Sequence, residues 1–259
     1  MIRKLVTSSI LSLLFASSTQ AGCLACDDGL IGPNDEFPIV WTKVITVSGG
    51  PGWTKAGDTQ MQYSTSTPIP LFNNYIANKK WNTLGEGELY FALQHILTNY
   101  MTGRFGIAAA GSSQAKLQGT VIPSPSATVQ PYTYSYRITH GRVGLKGMLL
   151  FGAQNQTFMP YIMGSFGLGM NSSHQYKETQ IPQMPTFRSN TTTAAFAYTL
   201  GGGLEAAFNQ NWHGGIGYQF ADWGKSNLDS IGGQPYDEGL RLARLYTHVL
   251  QFSLTYICS

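Results

Sequence analysis

Charge is scarce in this chain. Asp, Glu, Lys and Arg make up 11% of its 259 residues, against roughly a quarter in soluble domains. Cysteine is scarcer still, with three residues near the two ends: Cys23, Cys26 and Cys258. Beyond the leader, no continuous apolar run reaches the ~20 residues that a membrane-spanning helix needs. Each shortage excludes something. The low charge disfavours a domain bathed in water on every side, and the lack of an apolar run disfavours a helical membrane protein. Cys23-x-x-Cys26 has no second pair to complete a zinc site and lacks the strand-to-helix setting of a dithiol redox motif. Glycine runs such as Gly201–Gly203 likewise lack the strand-to-helix context of a nucleotide site, so no cofactor or metal is expected. They are read as residues that permit tight bending.

Glycine and aromatic residues are plentiful instead, with 30 Gly, 14 Tyr and 13 Phe. Residues 1–21 have the form of a signal peptide. Arg3 and Lys4 supply the positive start, Leu5 to Phe15 a short apolar stretch, and small residues lead to Ala21. Its removal leaves residues 22–259 as one domain and takes the net charge from +3 to +1 with the loss of Arg3 and Lys4. Nothing there suggests a nucleic-acid partner. Gln20-Ala21-Gly22-Cys23 resembles a lipoprotein cleavage site, with Gln20 where leucine is usual. In the oxidising exported compartment a disulfide is the default, so Cys258 is expected to bridge to Cys23 or to Cys26.

Two-residue periodicity organises the rest. Eight strands are expected over Ile39–Gly49, Asn82–Ile96, Met101–Leu117, Tyr132–Phe151, Phe158–Asn171, Thr192–Phe208, Trp212–Gly224 and Leu240–Ile257. Long and short connections alternate between them. The long ones are Gly50–Trp81, Gln118–Pro131, Ser172–Thr191 and Lys225–Gly239. Long loops outside and short turns in the periplasm mark an all-β, eight-stranded antiparallel up-and-down transmembrane β-barrel with four long extracellular loops. Low charge in an exported chain without a helix points the same way, to the bacterial outer membrane. A soluble lipocalin-like barrel has the same strand count with the faces inverted. Aromatics near strand ends, Tyr161, Trp212, Tyr218, Phe220, Trp223 and Tyr256, favour the membrane, where such girdles sit.

Charges fall on one side of the strands. Glu86 and Glu88 oppose Leu89, Phe91 and Leu93; Arg104 opposes Phe105 and Ile107; Arg142 and Lys146 oppose Val143 and Leu145; Glu205 opposes Leu200 and Leu204. A Lys or Arg facing lipid at the midplane costs roughly 2–4 kcal/mol, so these six are assigned to the lumen. Three acids and three bases in a barrel just wide enough for its side chains to fill form a mutually paired plug. Lys43 breaks the pattern by sharing parity with Trp41, Ile45 and Val47. Tyr132, Tyr134 and Tyr136 have the opposite parity to Val143 and Leu145, a change of phase near His140-Gly141 that a bulge or an extension beyond the membrane explains.

Catalysis finds little support. His248 has lipid-face parity near the outer interface, but Leu250 stands where a lipid-deacylating barrel carries a serine. No histidine pair has metal-ligand spacing, and Asp222 beside Trp223 is a rim group. The expected role is therefore structural or surface-interacting, in the manner of an adhesin. A narrow pore for small solutes and, behind it, a lipid-modifying enzyme are the alternatives. Trp53, Tyr63, Phe72, Tyr75 and Phe187 in the long loops are candidate contacts for lipopolysaccharide, host molecules or another surface protein.

The leader, the strand count and the aromatic-rich last strand resemble the small outer-membrane β-barrel superfamily typified by OmpA and OmpX. WTKVITVSGGPGW (Trp41–Trp53), YTYSY (Tyr132–Tyr136), NTTTAAFAYTLG (Asn190–Gly201) and FADWGKS (Phe220–Ser226) are similar to a paralogous set of outer-membrane proteins in intracellular Gram-negative bacteria. The resemblance implies a barrel among outer-membrane lipids and a substrate of the barrel-assembly machinery. It supplies no catalytic residues. Such barrels usually end on an aromatic residue, whereas here Tyr256 is followed by Ile257-Cys258-Ser259.

Overall fold

The structure, a computed structural model, describes residues 40–63, 72–124, 130–152, 156–179, 187–188, 190–230 and 239–258. The chain divides into residues 1–38 and 39–259, and every described residue lies in the second part. The expected signal peptide, residues 1–21, and Cys23 and Cys26 lie outside the described residues.

Thirteen strands are present among the described residues: β1 (Thr42–Thr54), β2 (Gln60–Tyr63), β3 (Phe72–Ala77), β4 (Asn82–Thr98), β5 (Met101–Ser112), β6 (Ala115–Ser124), β7 (Tyr132–Phe151), β8 (Phe158–Glu178), β9 (Asn190–Ala207), β10 (Trp212–Asp222), β11 (Ser226–Leu228), β12 (Leu240–Leu242) and β13 (Tyr246–Cys258). Eight of them close a ring in the order β1-β4-β5-β7-β8-β9-β10-β13, and β13 pairs back onto β1 from Lys43↔Cys258 to Thr54↔Thr247. Every pairing is antiparallel. Closure is what lipid demands, because an open edge would leave backbone N–H and C=O groups without partners. Val47, Leu89, Phe91, Phe105, Val143, Ile162, Leu168, Leu200 and Phe252 all face outward and are exposed. Their alternate neighbours are buried, so the apolar belt lies outside and the polar face inside.

The other strands build a second storey on the extracellular end. β7 is 20 residues long, and only Gly141–Phe151 pairs with β5. Its first half pairs with β6 instead, from Ala115↔Ile138 to Val121↔Tyr132. β3 adds to β6 and β2 to β3. The expected strand Met101–Leu117 is therefore two strands, because the chain leaves the ring after Ser112 and returns along the projecting half of β7. Leu240–Ile257 also divides, into β12 and β13, at Ala243–Leu245. The expected loop Gly50–Trp81 contains the end of β1 together with β2 and β3. Such strands escaped the sequence because their partners are other projecting strands rather than the belt whose periodicity was read.

The phase change near His140-Gly141 is an extension beyond the membrane. Burial along β7 alternates without a break through that point: Tyr132, Tyr134, Tyr136, Ile138, His140 and Arg142 are all buried. The side facing in simply changes chemistry, from apolar in the upper storey to charged in the ring. A register shift does occur in the β7–β8 pairing, but between Ser135 and Arg137, beside Gln175, whose φ is 55°.

The outer edge of β2 meets the β11–β12 hairpin through side chains. Gln60 Nε2 donates to Arg241 O (2.7 Å), and Arg241 N donates to Gln60 Oε1 (3.0 Å). The carboxamide thus imitates a strand partner. Gln62 Nε2 adds a bond to Gly239 O (3.1 Å). Gln60→Ala is expected to raise the exchange rate of the Arg241 amide about fivefold, the loss of one hydrogen bond of roughly 1 kcal/mol. Unchanged protection in hydrogen-exchange NMR would refute the carboxamide latch.

Candidate functional site: a paired lumen beneath an apolar cap

The ring brings the six charged residues into two groups. Arg104 on β5 and Glu205 on β9 meet in a two-pronged pair, Nη1–Oε2 and Nη2–Oε1 both at 2.7 Å. Glu205 Oε1 is also 2.7 Å from His213 Nδ1 on β10, and Arg104 Nε donates to Gln94 Oε1 (2.8 Å). The second group lies nearer the extracellular end. Arg142 on β7 reaches Glu88 (2.8 Å) and Glu86 (3.0 Å), both on β4. Lys146 also pairs with Glu88, and Gln219 Nε2 donates to Glu86 Oε1 (2.9 Å). All six charged residues are buried. The guanidinium and carboxylate planes match in the first group, the geometry in which a buried pair best offsets its desolvation.

Tyr90 stands between the groups. Its hydroxyl donates to Lys146 O (3.1 Å), and Lys146 Nζ lies 5.1 Å from the ring centre. Apolar side chains fill other parts of the lumen in two clusters, Val44, Ala92, Ala108 and Ile257 with Tyr90 in one, and Met148, Leu150, Tyr161 and Met163 in the other. Room for Tyr161 comes from glycine: a Cβ at Gly217 would lie 2.2 Å from its hydroxyl. Tyr90 and Gln94 share the face of Glu86 and Glu88, as their parity in the sequence predicts, whereas His213 and Gln219 were missed as lumen residues from the sequence. His213 and Gln219 share parity on one strand, but glycines at Gly215 and Gly217 between them hide the alternation.

Above the ring the interior turns apolar. Tyr75, Tyr134, Tyr136, Tyr176, Phe187, Trp223, Leu228 and Leu242 form one buried cluster. Tyr75 packs edge-on against both Tyr134 (5.4 Å) and Phe187 (5.6 Å). Burial pushes the Tyr134 phenol up to about 12 and drives Tyr136 and Tyr176 upward too, so these rings stay neutral. Where cap meets lumen, Trp223 stacks on His140 with ring centres 4.3 Å apart. Asn171 holds the junction, with Oδ1 2.7 Å from His140 Nδ1 and Nδ2 donating to Trp223 O and Lys225 O, both at 2.8 Å.

The candidate contact residues separate. Tyr63 is exposed, and Phe72 beside it is half-buried, their rings 6.0 Å apart. Trp53 lies at the end of β1 on the outward face rather than in a loop. Tyr75 and Phe187 are each 0% exposed; as core residues of the cap they cannot touch a partner, which corrects the expectation for those two. Cys258 carries a free thiol. It is half-buried with the outward parity of Tyr256, facing Lys43 across β1; its expected bridging partners, Cys23 and Cys26, lie outside the described residues. Among the described residues no cluster of His, Cys, Asp or Glu could hold a metal.

A closed antiparallel ring with a lipid-facing apolar belt and an inward, ion-paired face defines an integral bacterial outer-membrane β-barrel protein. No family model and no curated protein matches the chain. Among solved structures it is similar to neisserial surface protein A, at 8% identity over 83% of this chain and 96% of that one, with a TM-score of 0.41. It is also similar to the outer membrane protein OprG of Pseudomonas aeruginosa (10% identity, 82% and 95% covered, TM-score 0.46). A third is the outer membrane protein AlkL in lipid bilayers (13% identity, 89% and 97% covered, TM-score 0.40).

Proposed function

We propose that this barrel is a non-conducting, non-enzymatic scaffold that holds a β-structured cap at the cell surface for contact with a host or surface partner. The observation that carries this is the lumen: two buried ion-pair groups occupy it, and an apolar cap core lies above them. The cap's continuity with the ring supports a presenting role, since β7 and β8 run unbroken from one into the other. Its outermost strand, β2, displays Met61 and Tyr63 to solvent, and contacts with outer-membrane lipid come from the belt. Tyr256, packed on Trp212 (4.9 Å) at the periplasmic end of β13, serves in this proposal as the aromatic signal for the barrel-assembly machinery.

Purified protein in planar bilayers is expected to give no stable conductance steps. Large, stable steps would overturn the scaffold and favour the narrow pore. The enzymatic alternative would need a nucleophile at the lipid interface. His248 has Tyr218, Trp53 and Phe220 around it, and Leu250 two residues on, so no serine completes a site there. The apolar groove of ≈ 710 Å³ on the outer wall, over Gly147 and Phe105, has no acid–base pair to act on a substrate.

A further inference from the structure

We propose that the outward rim formed by β4, β1, β13 and β10 seats a phosphorylated glycolipid of the outer leaflet, lipopolysaccharide, with its phosphate toward Lys55, Lys79 and Lys80 and its sugar against Trp53 and Trp81. This goes beyond the scaffold role, because it concerns the lipid face and not the cap. Aromatic girdles occur all round such barrels, and rings alone assign nothing. Two features set this sector apart.

The first is His248. Its parity directs it outward, where an imidazole without partners is poorly placed in lipid. In register it sits between Trp53 on β1 and Phe220 on β10. Tyr218 Oη lies 2.5 Å from its Nδ1, and Trp81 packs edge-on with ring centres 5.9 Å apart. This hydrogen bond fixes the ring, and among the described residues Nε2 has no partner. Nε2 is thus presented beside two exposed indoles, Trp53 (38%) and Trp81 (60%). An acceptor-rich headgroup supplies what it lacks, and flat indole faces suit the C–H side of a sugar ring.

The second is charge. Lys79 and Lys80 immediately precede Trp81, and Lys55 follows the last residue of β1; all three are exposed. Thr54 and Asn82 are register partners, so these lysines gather just above the Trp53–Trp81 pair. The acids nearby are engaged elsewhere: Asp58 accepts from Ala243 N (2.6 Å), and Asp222 pairs with Arg244 (2.8 Å). The long-loop end faces outside, so phosphates of the outer leaflet meet this cationic rim at headgroup depth. Each lysine near an anionic surface adds to the attraction.

The test uses full-length protein in phosphatidylcholine nanodiscs containing a minor fraction of bisphosphoryl lipid A, with retained lipid read by native mass spectrometry. Wild type is expected to hold lipid A at least about tenfold more strongly than the triple variant Lys55→Ala/Lys79→Ala/Lys80→Ala. Dephosphorylated lipid A is expected to bind wild type as weakly as bisphosphoryl lipid A binds that variant. His248→Ala is expected to weaken retention while its heat-modified gel mobility stays that of a folded barrel. A control, Lys116→Ala/Arg137→Ala/Lys177→Ala, removes the same charge from the cap. Equal loss in that control, or equal retention of lipid A with and without phosphate, would overturn the proposal.

Discussion

Glu88→Ala is expected to destabilise the folded barrel by about 3–5 kcal/mol, the cost of removing one partner from a buried ion pair. Glu88 meets an arginine and a lysine at once, Arg142 at 2.8 Å and Lys146. Its loss leaves Lys146 buried and charged beside Tyr90, while Arg142 keeps only the longer contact to Glu86 (3.0 Å). Glu86→Ala is expected to cost less, since Arg142 retains Glu88 and only Gln219 Nε2 loses an acceptor. Reversible urea unfolding from lipid vesicles, followed by tryptophan fluorescence, measures both. Combining Glu88→Leu, Lys146→Met and Arg142→Met with Glu86→Gln, which neutralises the carboxylate that Arg142 also holds, is expected to recover much of the loss, because volume is kept and no uncompensated charge remains in the group. A cost below about 1 kcal/mol for Glu88→Ala would mean that the charges are wet and exchange with water, as exposed pairs do. The sealed lumen would then lose its main support.

The ring was legible in the sequence because one physical rule governs every strand crossing the membrane. Lipid outside and charge inside force alternation, and alternation is readable: Tyr132–Phe151 was expected at the same limits as β7. Parity placed Glu86, Arg104 and Lys146 on one face, but parity cannot say which acid meets which base. That depends on register around a closed ring, and Arg104 and Glu205 are 101 residues apart in sequence. The cap was hidden for a different reason. Tyr75 and Phe187 looked like exposed loop aromatics because the residues that bury them lie on strands distant in sequence, Tyr134 on β7 and Tyr176 on β8. Phe187 is covered by Tyr176 from β8 (5.2 Å) and by Tyr75 from β3 (5.6 Å), a convergence that no local window contains. His140 was read as the point where a strand changes phase, yet its backbone continues unbroken. What changes there is the solvent on either side of the sheet, and a single chain cannot distinguish that from a bulge.

Ring and cap share β7 and β8 but differ in what holds them, and Trp223→Ala separates them. Trp223 is fully buried, stacked on His140, and its carbonyl accepts from Asn171. Truncation of a buried tryptophan costs about 3–5 kcal/mol where the surroundings cannot collapse. Here β10 on one side and the Asn171 clasp on the other hold the backbone in place, so the cavity is expected to persist. The loss falls on the cap, because Trp223 follows the last residue of β10 and packs into the cluster with Tyr75 and Leu242. The ring keeps its hydrogen bonds and its paired lumen. The expected result is a barrel with unchanged heat-modified mobility whose cap amides, Gly119 and Thr120 on β6 among them, exchange at least about a hundredfold faster. Proteolysis of intact cells is expected to cut the cap of this variant while sparing the ring. If cap and ring amides instead lose protection together, the two storeys unfold as one cooperative unit. A rigid cap would then owe its stability to the membrane-embedded ion pairs below it, and Glu88→Ala would loosen the surface domain from a distance.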